Sequence, residues 1–179
     1  MRRTSHGFTL VEVLIVVAII AIIAAIAIPS LLRARMAANE ASAIGSLRSV
    51  FSSQQNYAAS AARGGYAPDL PRLGAPCPGG DVPFLSSELT ALAVVRKSGY
   101  IFEMQPSAGS GIGPTDCNSA ATAGGFYLKA EAISPALTGT RAFAVTDFGS
   151  IWQNVGDAGT APLEAEMIAA PAALIHPLR

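Results

Sequence analysis

Basic clusters are missing from this chain. Its 12 basic and 12 acidic residues balance, and no lysine or arginine run interleaved with aromatics occurs, so the electrostatic footprint of a nucleic-acid binder is absent. Charge of either sign is scarce: 13% of the 179 residues are charged, against a high content of alanine and glycine. Such a composition is unusual for a free cytosolic protein and suits a chain packed against copies of itself or against lipid. Cysteine is nearly absent as well. Cys77 and Cys117 cannot supply the four ligands of a zinc site, and the only histidines, His6 and His176, lie at the two ends. No metal and no cofactor is expected. The same placement removes any Ser-His-acid arrangement from the interior, so no enzyme is expected either. Two short motifs do not change this. "GSGIG" at Gly109 to Gly113 lacks the strand-to-helix setting of a phosphate loop and reads as a flexible linker. "DFG" at Asp147 to Gly149 lacks the lysine-bearing strand and catalytic loop of a kinase and reads as a hairpin turn.

Apolar residues, by contrast, are concentrated at one end. Val13 through Ile28 is an unbroken run of sixteen, with one carboxylate, Glu12, directly before it. As a helix, Phe8 to Ile28 would span about 30 Å, enough for the hydrocarbon core of a bilayer. An ionised side chain in hydrocarbon costs on the order of 2.5 kcal/mol or more and marks a functional site, so Glu12 calls for a partner. Arg2 and Arg3 before the run favour keeping that end in the cytoplasm, although Arg33 and Arg35 after it blunt the asymmetry. Ala21, Ala24 and Ala25 allow close helix packing.

Pro29 removes a backbone donor and crowds the preceding turn, which predicts a kink or local unwinding near Ala25 to Pro29. Beyond it the pattern turns amphipathic. Leu32, Met36, Ile44, Leu47, Phe51 and Tyr57 recur at helical spacing, with Arg35, Asn39, Ser42, Ser49 and Ser53 opposite. One helix from about residue 8 to 60 is the economical reading, stopped by Gly64, Gly65 and Pro68 in "RGGYAPDL". A short helix through "ELTALAVVRK", capped by Ser86 or Ser87, is expected next. Three alternating strands come after it, Gly99 to Gln105, Gly125 to Ile133 and Arg141 to Asp147, with "SIWQN" as a fourth. The stretch "PSAGSGIGPTDCNSAATAGG" reads as a surface loop tied down by Cys117. If the apolar segment exports the remainder of the chain, Cys77 and Cys117 meet an oxidising compartment and pair; otherwise they are two unrelated buried thiols.

The N-terminal stretch "GFTLVEVLIVVAIIAIIAAIAIPSLLRAR" resembles the type IV prepilin family at the motif positions of Gly7, Phe8, Glu12 and Pro29. The likeness extends from Gly7 to about Tyr57, and "KSGYIFEM" and "TGTRAFAVTDFGSIW" resemble pilin heads less specifically. The resemblance implies a prepilin peptidase that cuts after Gly7 and methylates the new amino terminus on Phe8. It further implies that Glu12 pairs with the Phe8 amine of a neighbouring subunit and sets register, and that the helix loosens at Pro29 in the filament. An α+β, pilin-like fold is expected, its long N-terminal helix packing its C-terminal half on a small antiparallel sheet. The expected divisions are a leader, 1–7; an apolar filament-core helix, 8–29; its amphipathic half, 30–63; a globular head, 64–160; and an extended C-terminal tail, 161–179.

The implied partners are copies of the chain in a helical homopolymer, the peptidase, the membrane, and an inner-membrane assembly machinery with a separate ATPase. The implied route runs from the bacterial inner membrane to an extracellular pilus or a periplasmic pseudopilus, with motility or adhesion belonging to the fibre. Two alternatives stay open. A type II secretion pseudopilin shares the signature. A signal peptide cut after Ala25, Ile26 and Ala27 would instead export a soluble domain, although Glu12 would then sit inside the signal's apolar core.

Overall fold

The structure, a computed structural model, describes residues 8–169 and 171–178. Helix α1 runs unbroken from Leu10 to Ser60 and contains Pro29. The chain forms two compact units, divided between Arg35 and Met36 inside this helix. In the first unit the helix carries only its own turns, and nearly every side chain from Phe8 to Arg35 is exposed. Leu32, expected on the buried stripe, is among the exposed ones.

In the second unit α1 supplies one wall of the core. Its Leu47, Val50 and Tyr57 are buried in one cluster with Phe102, Leu128 and Phe143 of a β-sheet. The periodicity placed Ser53 on the polar face, yet it is buried, and its hydroxyl donates to the Phe84 carbonyl at 2.8 Å. The helix ends where Arg63 and Gly64 turn left-handed, at φ 51° and 95°. Two short helices come next. In α2 (Leu70–Leu73) Asp69 caps the Arg72 N–H. The second, α3, covers only Ser87–Thr90, and Ser86 makes no side-chain cap.

The expected longer helix through "ELTALAVVRK" is thus corrected. Its second half is strand β1 (Val94–Lys97), antiparallel to β2 (Tyr100–Pro106). Ser98 and Gly99, at φ 48° and 76°, form the two-residue turn between them. Positive φ at both positions is the type I′ geometry that suits the twist of a hairpin. β-Branched Val94 and Val95 then favour the strand.

Between β2 and the longer strand Phe126–Ala132, the expected surface loop is itself a hairpin, β3 (Ile112–Thr115) with β4 (Ala121–Ala123). Ile112 and Gly113 of "GSGIG" are therefore strand, not linker. Tyr66 and Ala123 exchange both backbone hydrogen bonds, at 2.8 and 2.9 Å, which anchors this hairpin to the segment after α1. The strand Phe126–Ala132 is β5. Strands β6 (Ala142–Thr146) and β7 (Ile151–Asn154) flank the "DFG" turn, where Gly149 takes φ 83° and donates to the Thr146 carbonyl. The turn is the one expected.

The C-terminal stretch is not an extended tail. It forms α4 (Glu164–Ile168) and β8 (Ile175–Pro177), which pairs with β7. The main sheet is fully antiparallel in the order β1-β2-β5-β6-β7-β8. Its inner face meets α1. Its outer face is partly covered by α4, where Tyr127, Ala144 and Trp152 pack with Ala161 and Met167. The long N-terminal helix and antiparallel sheet give the α+β, pilin-like layout expected.

Candidate assembly segment

The N-terminal segment is built by one local device and one physical mismatch. The device is at the helix start. Thr9 lies just outside α1, and its carbonyl accepts the Val13 N–H at 3.4 Å. Its hydroxyl oxygen accepts the Glu12 N–H at 3.2 Å, while the Glu12 carboxylate accepts the Thr9 N–H at 3.0 Å and the Thr9 hydroxyl at 2.7 Å. This reciprocal pair is a capping box, which satisfies two of the donors that a helix N-terminus leaves free. The pattern T-x-x-E before an apolar run was a readable signal for it. Within one chain, then, Glu12 has a partner, and that partner is Thr9.

The mismatch lies in the helix just beyond it. From Val13 to Ile28 it is apolar on all faces, and its most apolar stretch buries nothing inside the chain. Water is a poor solvent for such a surface, and exposed apolar area on this scale marks an interaction site. The helix is long and apolar enough to cross a membrane. Phe8, Glu12 and Pro29 all lie on this segment; Gly7, the expected cleavage position, falls outside the described residues.

Residues 2–28 match a family model described as a prokaryotic N-terminal methylation motif. This is the type IV prepilin signature. No curated protein and no solved structure matches the chain. The prepilin signature covers the capping box and the apolar run together, and it belongs to type IV pilin or pseudopilin-type exported proteins, a structural rather than an enzymatic family. With the apolar helix it indicates anchoring in the inner membrane before assembly.

Two buried acids in the head were not found from the sequence. Glu40 of α1 accepts the Thr140 N–H and hydroxyl at 2.7 Å each, and Arg141 through Nε at 2.9 Å and Nη2 at 2.7 Å. Burial raises its carboxyl, but the bonds from Thr140 and Arg141 outweigh that and hold it below the ordinary carboxylate range. Asp116 accepts the Tyr57 hydroxyl at 2.7 Å and the N–H groups of Asn118 and Ala120 at 2.9 and 2.8 Å, with Arg72 3.5 Å away. Burial again raises its carboxyl and is again outweighed, by Tyr57, the two N–H groups and Arg72. Asp116 immediately precedes Cys117, which is joined to Cys77 in a disulfide. The two sulfurs tie the β3–β4 hairpin to the loop after α2.

Proposed function

We propose that this chain is the structural subunit of a type IV pilus-like filament. It enters the inner membrane as a prepilin, is cut after Gly7 by a prepilin peptidase and methylated on Phe8, and then polymerises through the apolar half of α1. The observation that carries this reading is a coincidence of position: the methylation motif covers the same residues that form an apolar helix with no cover of its own. Lipid covers that surface before assembly, and neighbouring copies of the helix cover it afterwards. Energy for extraction comes from a separate assembly ATPase. Pilins and pseudopilins share the motif, and the mature fibre is accordingly either an extracellular pilus or a periplasmic pseudopilus.

Glu12 has two successive partners in this account. In the single chain its carboxylate closes the Thr9 cap. In the filament it receives the amine of Phe8 from a neighbour, and a buried charge pair of this kind serves to set register. Capping and register make different demands on side chains, which separates them experimentally. Glu12→Ala should leave membrane insertion and leader removal intact and abolish filaments seen by electron microscopy. Thr9→Ala removes the cap, about 1 kcal/mol of local helix stability, and should still assemble. Filaments of normal yield from Glu12→Ala would overturn the register role, and equal loss in both variants would reduce Glu12 to a capping residue.

A further inference from the structure

Four side chains from four parts of the head form one hydrogen-bonded line. It begins at Glu40 on α1, whose Oε2 takes two donors from Arg141. Arg141, at the start of β6, donates through Nη1 to Gln153 Oε1 on β7 at 2.8 Å. A guanidinium only donates, so the carboxamide oxygen of Gln153 must face it and the amide nitrogen must face away. That nitrogen lies 2.8 Å from His176 Nε2 on β8. An amide nitrogen also only donates. This contact requires the imidazole Nε2 as acceptor, with the ring proton on Nδ1.

Protonating His176 sets one N–H against another. Turning the Gln153 amide over repairs that contact and breaks the other, because the amide NH2 would then face Arg141. No orientation of Gln153 serves both Arg141 and a cationic imidazole. Among the described residues the charged surroundings offer no relief. Arg141 is a second cation lining the same open cavity, about 630 Å³ in volume, as His176 and Gln153. Glu40, from α1, already holds Arg141 and the Thr140 donors. From α4, Glu166 lines a different cavity with Ile175, and its carboxylate accepts the Leu163 N–H. Ile175 and His176 are consecutive in a strand and point to opposite faces.

The strand at stake is small. β8 has three residues and lies at the sheet edge, and among the described residues it pairs with β7 alone, His176 directly opposite Gln153 and Pro177 opposite Trp152. The Gln153–His176 bond adds a side-chain tie to the few backbone bonds that hold so short an edge. We infer that His176 is an acid-sensitive latch: neutral, it fastens the C-terminal strand to β7 through Gln153; protonated, it lets that strand open. Opening removes Ile175 from the cluster that buries Trp152, which is the chain's single tryptophan.

The test uses the full chain in detergent, read by Trp152 emission and by amide exchange of Val155 and Leu178, which donate to Leu174 and Ile151 across this edge. From pH 8 to pH 5 the emission should shift to the red, and exchange, corrected for intrinsic pH dependence, should rise about tenfold. In His176→Gln, which keeps an acceptor for Gln153 and does not titrate, both changes should vanish; His6→Ala should keep them. An unchanged wild type, or a transition that persists in His176→Gln, overturns the latch. The imidazole nitrogen spectrum of the wild type decides independently of any variant's folding: an Nε2–H tautomer at pH 8 would refute it.

Discussion

Glu40 shows why a single residue's role can be invisible in the chain order. In "ANEASAIG" it reads as part of a helix's polar face, yet it is 5% exposed. Its donors, Thr140 and Arg141, are 100 and 101 residues away. Nothing local distinguishes it from a solvated acid. Because its carboxyl is held below its ordinary value, as is that of Asp116, the unfolded chain takes up protons first as pH falls. Their contribution is fully present above the ordinary carboxylate values of 4.5 and 3.8 and is lost as pH drops through the lower, folded ones. Circular-dichroism melts should therefore show the head weakening from about pH 5 downwards. Glu40→Gln should lose about 2 kcal/mol at neutral pH and show a shallower acid slope, since it leaves Arg141 without its carboxylate and has no proton to take up. Glu12 contrasts with Glu40. Its apolar setting singled it out, and its local partner lay three residues away in a recognisable pattern.

Among the elements, α1 and strands β2, β5, β6 and β7 were legible because each carries its own period over enough residues. The elements misread were those whose partners come from elsewhere in the chain. β1 reads as helix from its own residues and is a strand because it pairs with β2 across Ser98 and Gly99, for which "KSGY" is a usable hairpin signal. β3 and β4 depend on each other and on Tyr66. The C-terminal stretch carries three prolines and no period, and α4 and β8 hold their places by covering the outer sheet face and the β7 edge. By strand alternation Tyr127 shares a face with Lys129 and Glu131, yet it is buried beneath this cover, its hydroxyl donating to the Pro162 carbonyl at 2.8 Å. The β3–β4 hairpin has a covalent tether as well, closing a loop of sequence separation 40. Cys77→Ser with Cys117→Ser should lower head stability in urea by up to about 4 kcal/mol. Amide exchange should rise first in β3 and β4. A double variant as stable as the wild type would show that the Asp116 network and the Tyr66–Ala123 pair hold this hairpin without the disulfide.

The protein as a whole joins a self-sufficient head to an apolar segment that is not self-sufficient. The second unit buries its own core and pairs its two buried acids, Glu40 and Asp116, internally, while the first exposes apolar side chains on every face. That division was legible because hydropathy is a local property. What a second copy contributes was not, since the proposed filament contact of Glu12 would lie between chains. On the proposed function, residues 1–7 are a leader and Phe8 becomes the amino terminus through which subunits meet. Intact and peptide mass spectrometry of the protein from bacteria that make pili tests this most directly. The expected result is a mature chain that begins with N-methylated Phe8. A mature chain that retains Met1 to Gly7, or one that begins at Ile28, would contradict it.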